Sequence, residues 1–518
     1  MVSAAASRYQ TSVAWLHERI PEGERRHVRL SNDSRQIRKG DVFLAYPGAR
    51  SDGRSYIPAV IAAGAAGVLW DDALPFRWNP TWQVANRPES GLKAAAGEIA
   101  AVWYGHPAER MRVVGITGTS GKSSCALWVA QALTLLGERC AVAGTLGMGF
   151  VPDGSTQALR DTGKTTPDAI ELQADMHRLA DEGAAALAIE VSSIGLAEGR
   201  INGMHFDVGV FTNLSRDHLD YHGSMANYAA AKAQLFAWPG LRAAVVNIDD
   251  AAGADLARTT AAGVHLLRYS ASGDSAADLR AIDVEFGADG MRFTVVGKFG
   301  RRGVQTHLIG GYNVANFLAL LGVLLVAGHS IDAALAALSR LVAVPGRLER
   351  VDAGSHTGPL VLVDYAHKPD ALEKVLLTCR PLATGRLVVV FGCGGARDAG
   401  KRPIMAHIAQ SLADRVVVTS DNPRSEDPDT IIAGIVAGFE KSAASNWLVE
   451  PDRARAIAQA IAKADVGDVV LIAGKGHETY QELAQGKVHF SDVEQAGVAL
   501  RNWVAPPAST SNLEAPGC

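Results

Sequence analysis

The chain has 518 residues, 48% hydrophobic and 20% charged, which is enough for about three ordinary domains with well-filled cores. A formal net charge of −4 argues against a nucleic-acid-binding surface as its main business. Five cysteines, Cys125, Cys140, Cys379, Cys393 and Cys518, are scattered and lack metal-site spacing, so they suit a reducing cytoplasm better than a disulfide framework.

Residues Met1 to Arg19 carry no apolar core of a signal peptide. Up to about Asn86, short strands mix with one helix, Ile57 to Ala65, and Asp41 to Ala45 reads as a strand that runs into a Pro47-Gly48 turn. A helical stretch follows from Gly91 to Trp103. From Met111 onward, apolar β-like runs at Arg112–Thr117, Cys140–Gly144, Ala186–Val191, Val208–Thr212 and Ala243–Asn247 alternate with helical patterns. That alternation predicts a largely parallel sheet covered on both faces. Ile282 to Val296 instead alternates around Asp289-Gly290, a hairpin signal, and reads as an antiparallel insertion at the edge of the central domain. The longest apolar run, Phe317 to Ala327, is too short to span a bilayer and reads as a buried helix. Beyond a boundary at Pro345-Gly346 a second α/β series begins, with strands at Leu360–Val363, Leu387–Phe391, Arg415–Thr419, Trp447–Val449 and Val469–Ile472. Pro506 to Cys518 is rich in Pro, Ser and Ala and reads as a disordered tail. The expected architecture is therefore α/β in three domains: a small N-terminal α/β domain over 1–90, a central P-loop domain with a mostly parallel sheet over 91–346, and a Rossmann-like C-terminal domain over 347–505.

The stretch Val113 to Ser124 is a strand, a glycine-rich turn and a helix start, which is the build of a phosphate cradle. Gly118, Thr119, Ser120, Gly121, Lys122, Ser123 and Ser124 form it; Lys122 can reach a terminal phosphate and the Ser123 hydroxyl can sit on Mg²⁺. The strict P-loop spacing is not kept, because Ile116 stands where its first glycine would be. Glu190 ends an apolar strand and is a natural Mg²⁺ ligand. Thr212 to Gly223 is dense in groups that bind metals, phosphates or protons, His218 among them. Lys232, in an Ala-rich helix, reads on pattern alone as a surface lysine. In the last domain four strands run into polar or glycine-rich clusters, Asp364–His367, Gly392–Asp398, Asp421–Arg424 and Gly474–Glu478. Open α/β sheets bind ligands beyond the carboxyl ends of their strands, so these clusters mark a candidate site.

These motifs resemble those of the Mur ligases, the ATP-dependent amide-forming enzymes of peptidoglycan precursor assembly. The resemblance runs from about residue 29 to 503 and is most specific in Thr212–Gly223, Asp364–Pro369, Phe391–Pro403 and Asp421–Arg424. It implies ligation of meso-diaminopimelate to UDP-N-acetylmuramoyl-L-alanyl-D-glutamate through an acyl phosphate, in the cytoplasm, by a monomer that neither binds nucleic acid nor enters a membrane. It implies that Asp33-Ser34-Arg35 and the loop Gly48 to Gly53 cradle the uridine diphosphate. Thr165, Thr166, Ser192, Glu198 and Arg200 would contact the muramoyl peptide. Asn313, Asn316, Arg347 and Asp364 would contact ATP, with Lys122 on its phosphates. Ser123, Glu190 and His218 would surround Mg²⁺, and Lys232 would carry a carbamate made from CO₂ that serves both metal and substrate. Arg397, Asp421, Asn422, Pro423, Arg424, Gly474 and Glu478 would form the diaminopimelate pocket. A guanidinium at 424 suits the second carboxylate of that amino acid.

Ser120, Ser123, Ile194 and Glu198 depart from the commoner family residues asparagine, threonine, histidine and glutamine. The alternatives are the same ligase acting on L-lysine, a folylpolyglutamate-synthase-like ligase, and a nucleotide-controlled switch. An arginine at 424 opposes the first, the uridine-site match the second, and the full set of charged groups the third.

Overall fold

The computed structural model describes residues 3–48, 51–152, 154–156, 158–287, 289–351, 354, 358–440 and 446–505; the expected tail over 506–518 and part of the Gly48–Gly53 loop lie outside them. The chain divides into two compact units. One comprises Met1–Ile282, Thr294–Arg302 and Val314–Arg340, the other Asp283–Phe293, Gly303–Asn313 and Leu341–Cys518.

The first unit opens with a helix, Ser3–Arg19, which the sequence reading does not anticipate. Val13 and Leu16 share one face of it and, with Ile20 just past its end, bury themselves with Leu92, Ala96 and Ile99 of the helix Leu92–Trp103. Beneath them lies a four-stranded parallel sheet in the order Leu30–Ser31, Val42–Ala45, Gly67–Trp70, Ala85–Pro88. The helix expected over Ile57 to Ala65 forms as Ile57–Ala62, preceded by a 3₁₀ turn.

The large sheet has its phosphate-loop strand, Arg112–Thr117, flanked by Ala186–Glu190 and Val208–Phe211, both parallel to it. Outward on one side lie Cys140–Gly144 and an unanticipated antiparallel strand, Gly147–Phe150; on the other lie Ala243–Asn247, His265–Ser270, Leu279–Gly287, Gly290–Gly297 and Gly300–Thr306. The strands read from sequence are thus present, and the expected hairpin strands are sheet neighbours. Val113, Val114, Ile116, Leu187 and Ile189 are buried, as strands covered on both faces require.

The second unit holds a six-stranded sheet in the order Glu349–Arg350, Leu360–Asp364, Val469–Ala473, Leu387–Phe391, Arg415–Val418, Trp447–Val449. All its pairings are parallel except that of Glu349–Arg350. Its residues alternate between two cores: Leu387, Val389 and Phe391 face one, Val388 and Val390 the other. A separate antiparallel ribbon, Tyr480–Leu483 with Gly486–His489, follows the last parallel strand. Among the described residues no helix is long and apolar enough to cross a membrane.

Candidate active site

The phosphate loop joins the strand Arg112–Thr117 to the helix Lys122–Leu135. Gly118 and Gly121 have φ of +151° and +87°, conformations that side chains avoid. A Cβ on Gly121 would lie 2.7 Å from Asn316 Oδ1, so a second reason for glycine is the close approach of that buried asparagine. The loop is pinned from the neighbouring strand end: the Thr119 and Ser120 N–H groups donate to the Asn213 carbonyl and side chain, both at 2.9 Å, and the Thr212 hydroxyl donates to Ser120 O at 2.7 Å. Lys122 Nζ folds back onto the carbonyls of Gly118 and Thr119 at 2.8 and 2.9 Å. A fixed loop, a helix N-terminus and an ammonium together suit a polyphosphate.

Sheet register places Glu190 opposite Ile116, so its carboxylate reaches the loop. Glu190 is 2% exposed; it accepts hydrogen bonds from the Ser123 hydroxyl at 2.9 Å and the Thr145 N–H at 2.7 Å. A Cβ on Gly144 would come within 2.7 Å of its Cδ. The hydroxyl–carboxylate pair fits a hard, oxygen-seeking cation that keeps several ligands from substrate and water. Among the described residues no three His, Cys, Asp or Glu side chains form a preformed cage. His218, with φ +52°, has its ring 3.6 Å from Asp217 and edge-on to Tyr228.

Lys232 overturns its surface reading. It lies on the helix Met225–Ala233, is 1% exposed, and donates to Gly118 O at 2.7 Å with its ammonium position 4.5 Å above the Tyr228 ring. Burial, reinforced by the nearby Lys122 charge, pushes its pKa down to about 6. Tyr228, Leu235 and Phe236, four residues before and three and four after it, share its buried face, and the packing of that face against the loop removes the side chain from water.

The muramoyl-contact candidates form a second cluster. The buried Thr166 hydroxyl donates to Glu190 O at 2.8 Å and accepts from Ser192 N at 2.9 Å. Thr165 accepts from the Thr145 hydroxyl at 3.1 Å, and Arg200 spans Thr166 O and Glu198. Asn32 donates to Asp168 at 3.1 Å, tying the segment that carries the half-buried Ser34 to the Thr165–Asp168 loop.

In the second unit Asp364 is buried and accepts from Leu348 N and Ala366 N at 2.8 and 2.9 Å; burial raises its pKa while Arg347 opposes the rise. Arg347 stacks over Tyr365 at 5.3 Å, and Asn313 is buried with its amide on Ile309 O. The polar clusters all follow parallel strands and so share one sheet edge. There Asn422 donates to Glu478 at 2.8 Å, Lys475 bridges Asn422 and Glu478, and Gly474, with φ +121°, leaves room for Asp421. Arg424, with φ +55°, pairs with Glu482 at 2.9 Å. Arg397 is exposed on a loop held by the Arg402–Glu426 pair and has no bonded partner among the described residues.

Residues 28–104 match the Mur ligase family catalytic domain, residues 116–324 the Mur ligase middle domain, and residues 346–476 the Mur ligase glutamate ligase domain. The UDP-N-acetylmuramoyl-L-alanyl-D-glutamate–2,6-diaminopimelate ligase of Janthinobacterium sp. (strain Marseille) is 47% identical over 504 residues, covering 96% of this chain and 97% of its own. The chain belongs to the Mur ligase family. The ligase of the same name from Pseudomonas aeruginosa is 48% identical, covering 95% of this chain and 99% of its own. A solved structure bearing that name is 35% identical, covers 91% of this chain and 94% of its own, and superposes with a TM-score of 0.68.

Against the Mur ligase motifs, the structure adds side chains that sequence reading did not single out. Thr145 orients Glu190 from a strand end two positions after an apolar run, a weak signal. Gln481 and Glu482 reach the Asp421–Arg424 loop from the ribbon, and the turn residues Gln485-Gly486 between alternating segments could have exposed that ribbon. Arg453 and Asp492 are a fully buried pair; the stripe Ala456, Ile457, Ala460 and Ile461 marks the buried face on which Arg453 stands, but not its partner.

Proposed function

We propose that this Mur ligase joins meso-diaminopimelate to UDP-N-acetylmuramoyl-L-alanyl-D-glutamate with cleavage of ATP. The observation that carries the amino-acid choice is the Asp421–Arg424 loop, where a guanidinium stands beside an Asn422–Glu478–Lys475 cluster. One end of the amino acid is a carboxylate with an ammonium on the same carbon; Arg424 suits the first and Glu478 the second. A lysine ammonium at that place would meet Arg424 and be repelled.

The N-terminal domain, 1–90, takes the uridine diphosphate through the Ser34 segment. The central domain, 91–346, takes ATP on the Gly118–Ser124 loop, with Asn313 and Asn316 toward the adenine and Arg347 and Asp364 from the C-terminal domain, 347–505. Thr165, Thr166, Ser192, Glu198 and Arg200 hold the muramoyl peptide. The D-glutamyl γ-carboxylate attacks the γ-phosphorus of ATP; ADP leaves and an acyl phosphate forms. Lys122 trades its loop carbonyls for the phosphate oxygens and offsets the charge that develops there. The diaminopimelate amine then attacks the acyl carbon, and phosphate departs. Ser123 and Glu190 would hold Mg²⁺, with His218 beyond them; when bound, the ion would screen the phosphate charge. Lys232, neutral near pH 7, is suited to add CO₂, since only a free amine forms a carbamate, and the product is an anionic oxygen ligand. The enzyme works as a monomer in the cytoplasm.

The test is phosphate release with ATP, Mg²⁺ and the UDP-dipeptide, adding meso-diaminopimelate or L-lysine in parallel. Release with diaminopimelate alone, with the product mass, supports the reading. Release with lysine keeps the ligase and removes the pocket assignment; release with neither removes both.

A further inference from the structure

The Tyr480–Leu483/Gly486–His489 ribbon is bonded to the diaminopimelate loop through two successive residues, Gln481 and Glu482. Gln481 Nε2 donates to Asp421 O at 2.7 Å, Glu482 N donates to Asn422 Oδ1 at 2.9 Å, and Arg424 N donates to Glu482 O at 2.9 Å. The last bond holds Arg424 in a left-handed backbone conformation, φ +55°, which a non-glycine residue adopts only when its surroundings impose it. The side chain is fixed by the same residue. Arg424 Nε donates to Glu482 Oε2 at 2.9 Å and Nη1 to Gly395 O at 3.1 Å, while Nη2 has no protein partner among the described residues. The ribbon itself is stiffened where Lys487 and Lys475 stack over the Tyr480 ring, at 3.8 and 5.6 Å.

We propose that Glu482 is a positioning residue for amino-acid selection: it locks Arg424 so that the Nη2 edge of the guanidinium is presented to the distal carboxylate of the substrate. An arginine side chain carries much rotamer freedom, and fixing it before binding removes that entropy from the cost of recognition. Glu482 needs no contact with the substrate to do this. This role rests on the diaminopimelate reading of the pocket.

The test compares wild type with Glu482→Ala and Glu482→Gln in steady-state kinetics for meso-diaminopimelate, L-lysine, ATP and the UDP-dipeptide, with melting temperatures alongside. Glu482→Ala is expected to raise the KM for meso-diaminopimelate about tenfold or more, the size of one charge-assisted hydrogen bond. Its kcat should stay within about twofold at saturation and the KM for ATP should be unchanged, because the interaction is made equally in ground and transition states. Discrimination against L-lysine should fall in proportion. Glu482→Gln should recover part of the loss, since its amide oxygen still accepts from Nε. An unchanged or lower KM in Glu482→Ala overturns the role, the lower value meaning that Glu482 competes with the ligand carboxylate. A parallel rise for all three substrates overturns it in favour of general structural damage. If wild type turns over L-lysine and not diaminopimelate, the pocket reading falls and takes this role with it; diaminopimelate turnover with an indifferent Glu482→Ala removes the role alone.

Discussion

Replacing Arg453 by methionine should both destabilise the protein and weaken its amino-acid site. Arg453 and Asp492 are an ion pair with no exposed side-chain surface; Nε and Nη2 donate to the two carboxylate oxygens at 2.7 Å each. Asp492 opens the helix Asp492–Arg501, whose N-terminal dipole also favours the carboxylate. The guanidinium donates further to Ala473 O at 3.1 Å and Ser420 O at 3.3 Å. Arg453→Met leaves a buried anion, the buried Ala473 carbonyl and the partly buried Ser420 carbonyl without this donor, which should cost about 3–5 kcal/mol. The double variant Arg453→Met/Asp492→Leu removes the uncompensated charge, and its stability should return to within about 1–2 kcal/mol of wild type, because a buried pair is often no better than apolar residues of similar volume. Urea denaturation of the four members of the cycle measures this directly. Function should not return with stability. Ser420 and Ala473 immediately precede Asp421 and Gly474, so losing the donor that fixes both carbonyls should leave the KM for the amino acid raised in the double variant. A single variant that costs less than about 1 kcal/mol, or strict additivity in the cycle, would refute the reasoning.

Three further outcomes follow from the geometry. Lys232 has a native pKa of about 6 against 10.5 when unfolded, so between those values the unfolded chain holds a proton that the native state lacks. Stability of the CO₂-free protein should therefore rise with pH through that window, by up to about 1.4 kcal/mol per unit, and Lys232→Met should flatten the rise; equal slopes in urea denaturation at pH 6.5 to 9 would exclude it. Gly144→Ala would drive its Cβ against the Glu190 side chain as far as Cγ and push a buried, hydrogen-bonded carboxylate off its partners, so urea denaturation should show a loss of about 1–3 kcal/mol and phosphate release should drop at least about tenfold. Arg424→Ala should raise the KM for diaminopimelate about 10- to 100-fold, and Arg424→Lys should restore little of it, because an ammonium cannot both pair with Glu482 and Gly395 O and present a fixed donor edge to the carboxylate; a fully active lysine variant would speak against carboxylate recognition.

The sequence made legible whatever is local. Strands buried on both faces, such as Leu387–Phe391, announce themselves as unbroken apolar runs, and the Gly118–Ser124 turn by its glycines. Glu190 could be placed beside the loop because a polar residue closing an apolar parallel strand has one place to go. The misses share a different cause. The helix Ser3–Arg19 has only a narrow apolar stripe, which a search for a continuous apolar segment passes over. Lys232, Arg453 and Glu482 owe their environments to partners 114, 39 and 58 residues away. The apolar neighbours Tyr228, Leu235 and Phe236 of Lys232, and Ala456 and Ile457 of Arg453, place the first two on buried helix faces, but a charged residue inside such a stripe does not name its partner. Family resemblance marked Lys232 and left the other two unmarked, so the reach of the ribbon and the pairing of Arg453 with Asp492 became visible only in the fold.

The two lysines at the phosphate loop show why burial, and not residue type, assigns roles here. Lys122 and Lys232 both donate to Gly118 O, at 2.8 and 2.7 Å. One carbonyl oxygen can accept twice, but two ammonium charges that close repel, and the conflict is settled by whichever is better solvated. Lys122 keeps some access to water, whereas Lys232 is 1% exposed, so Lys232 gives up its proton first. In the proposed mechanism the two groups need opposite properties: a permanent cation for the phosphates and a free amine for CO₂. The inward turn of one carbonyl, made possible by Gly118, brings them to the same oxygen and thereby separates their chemistry.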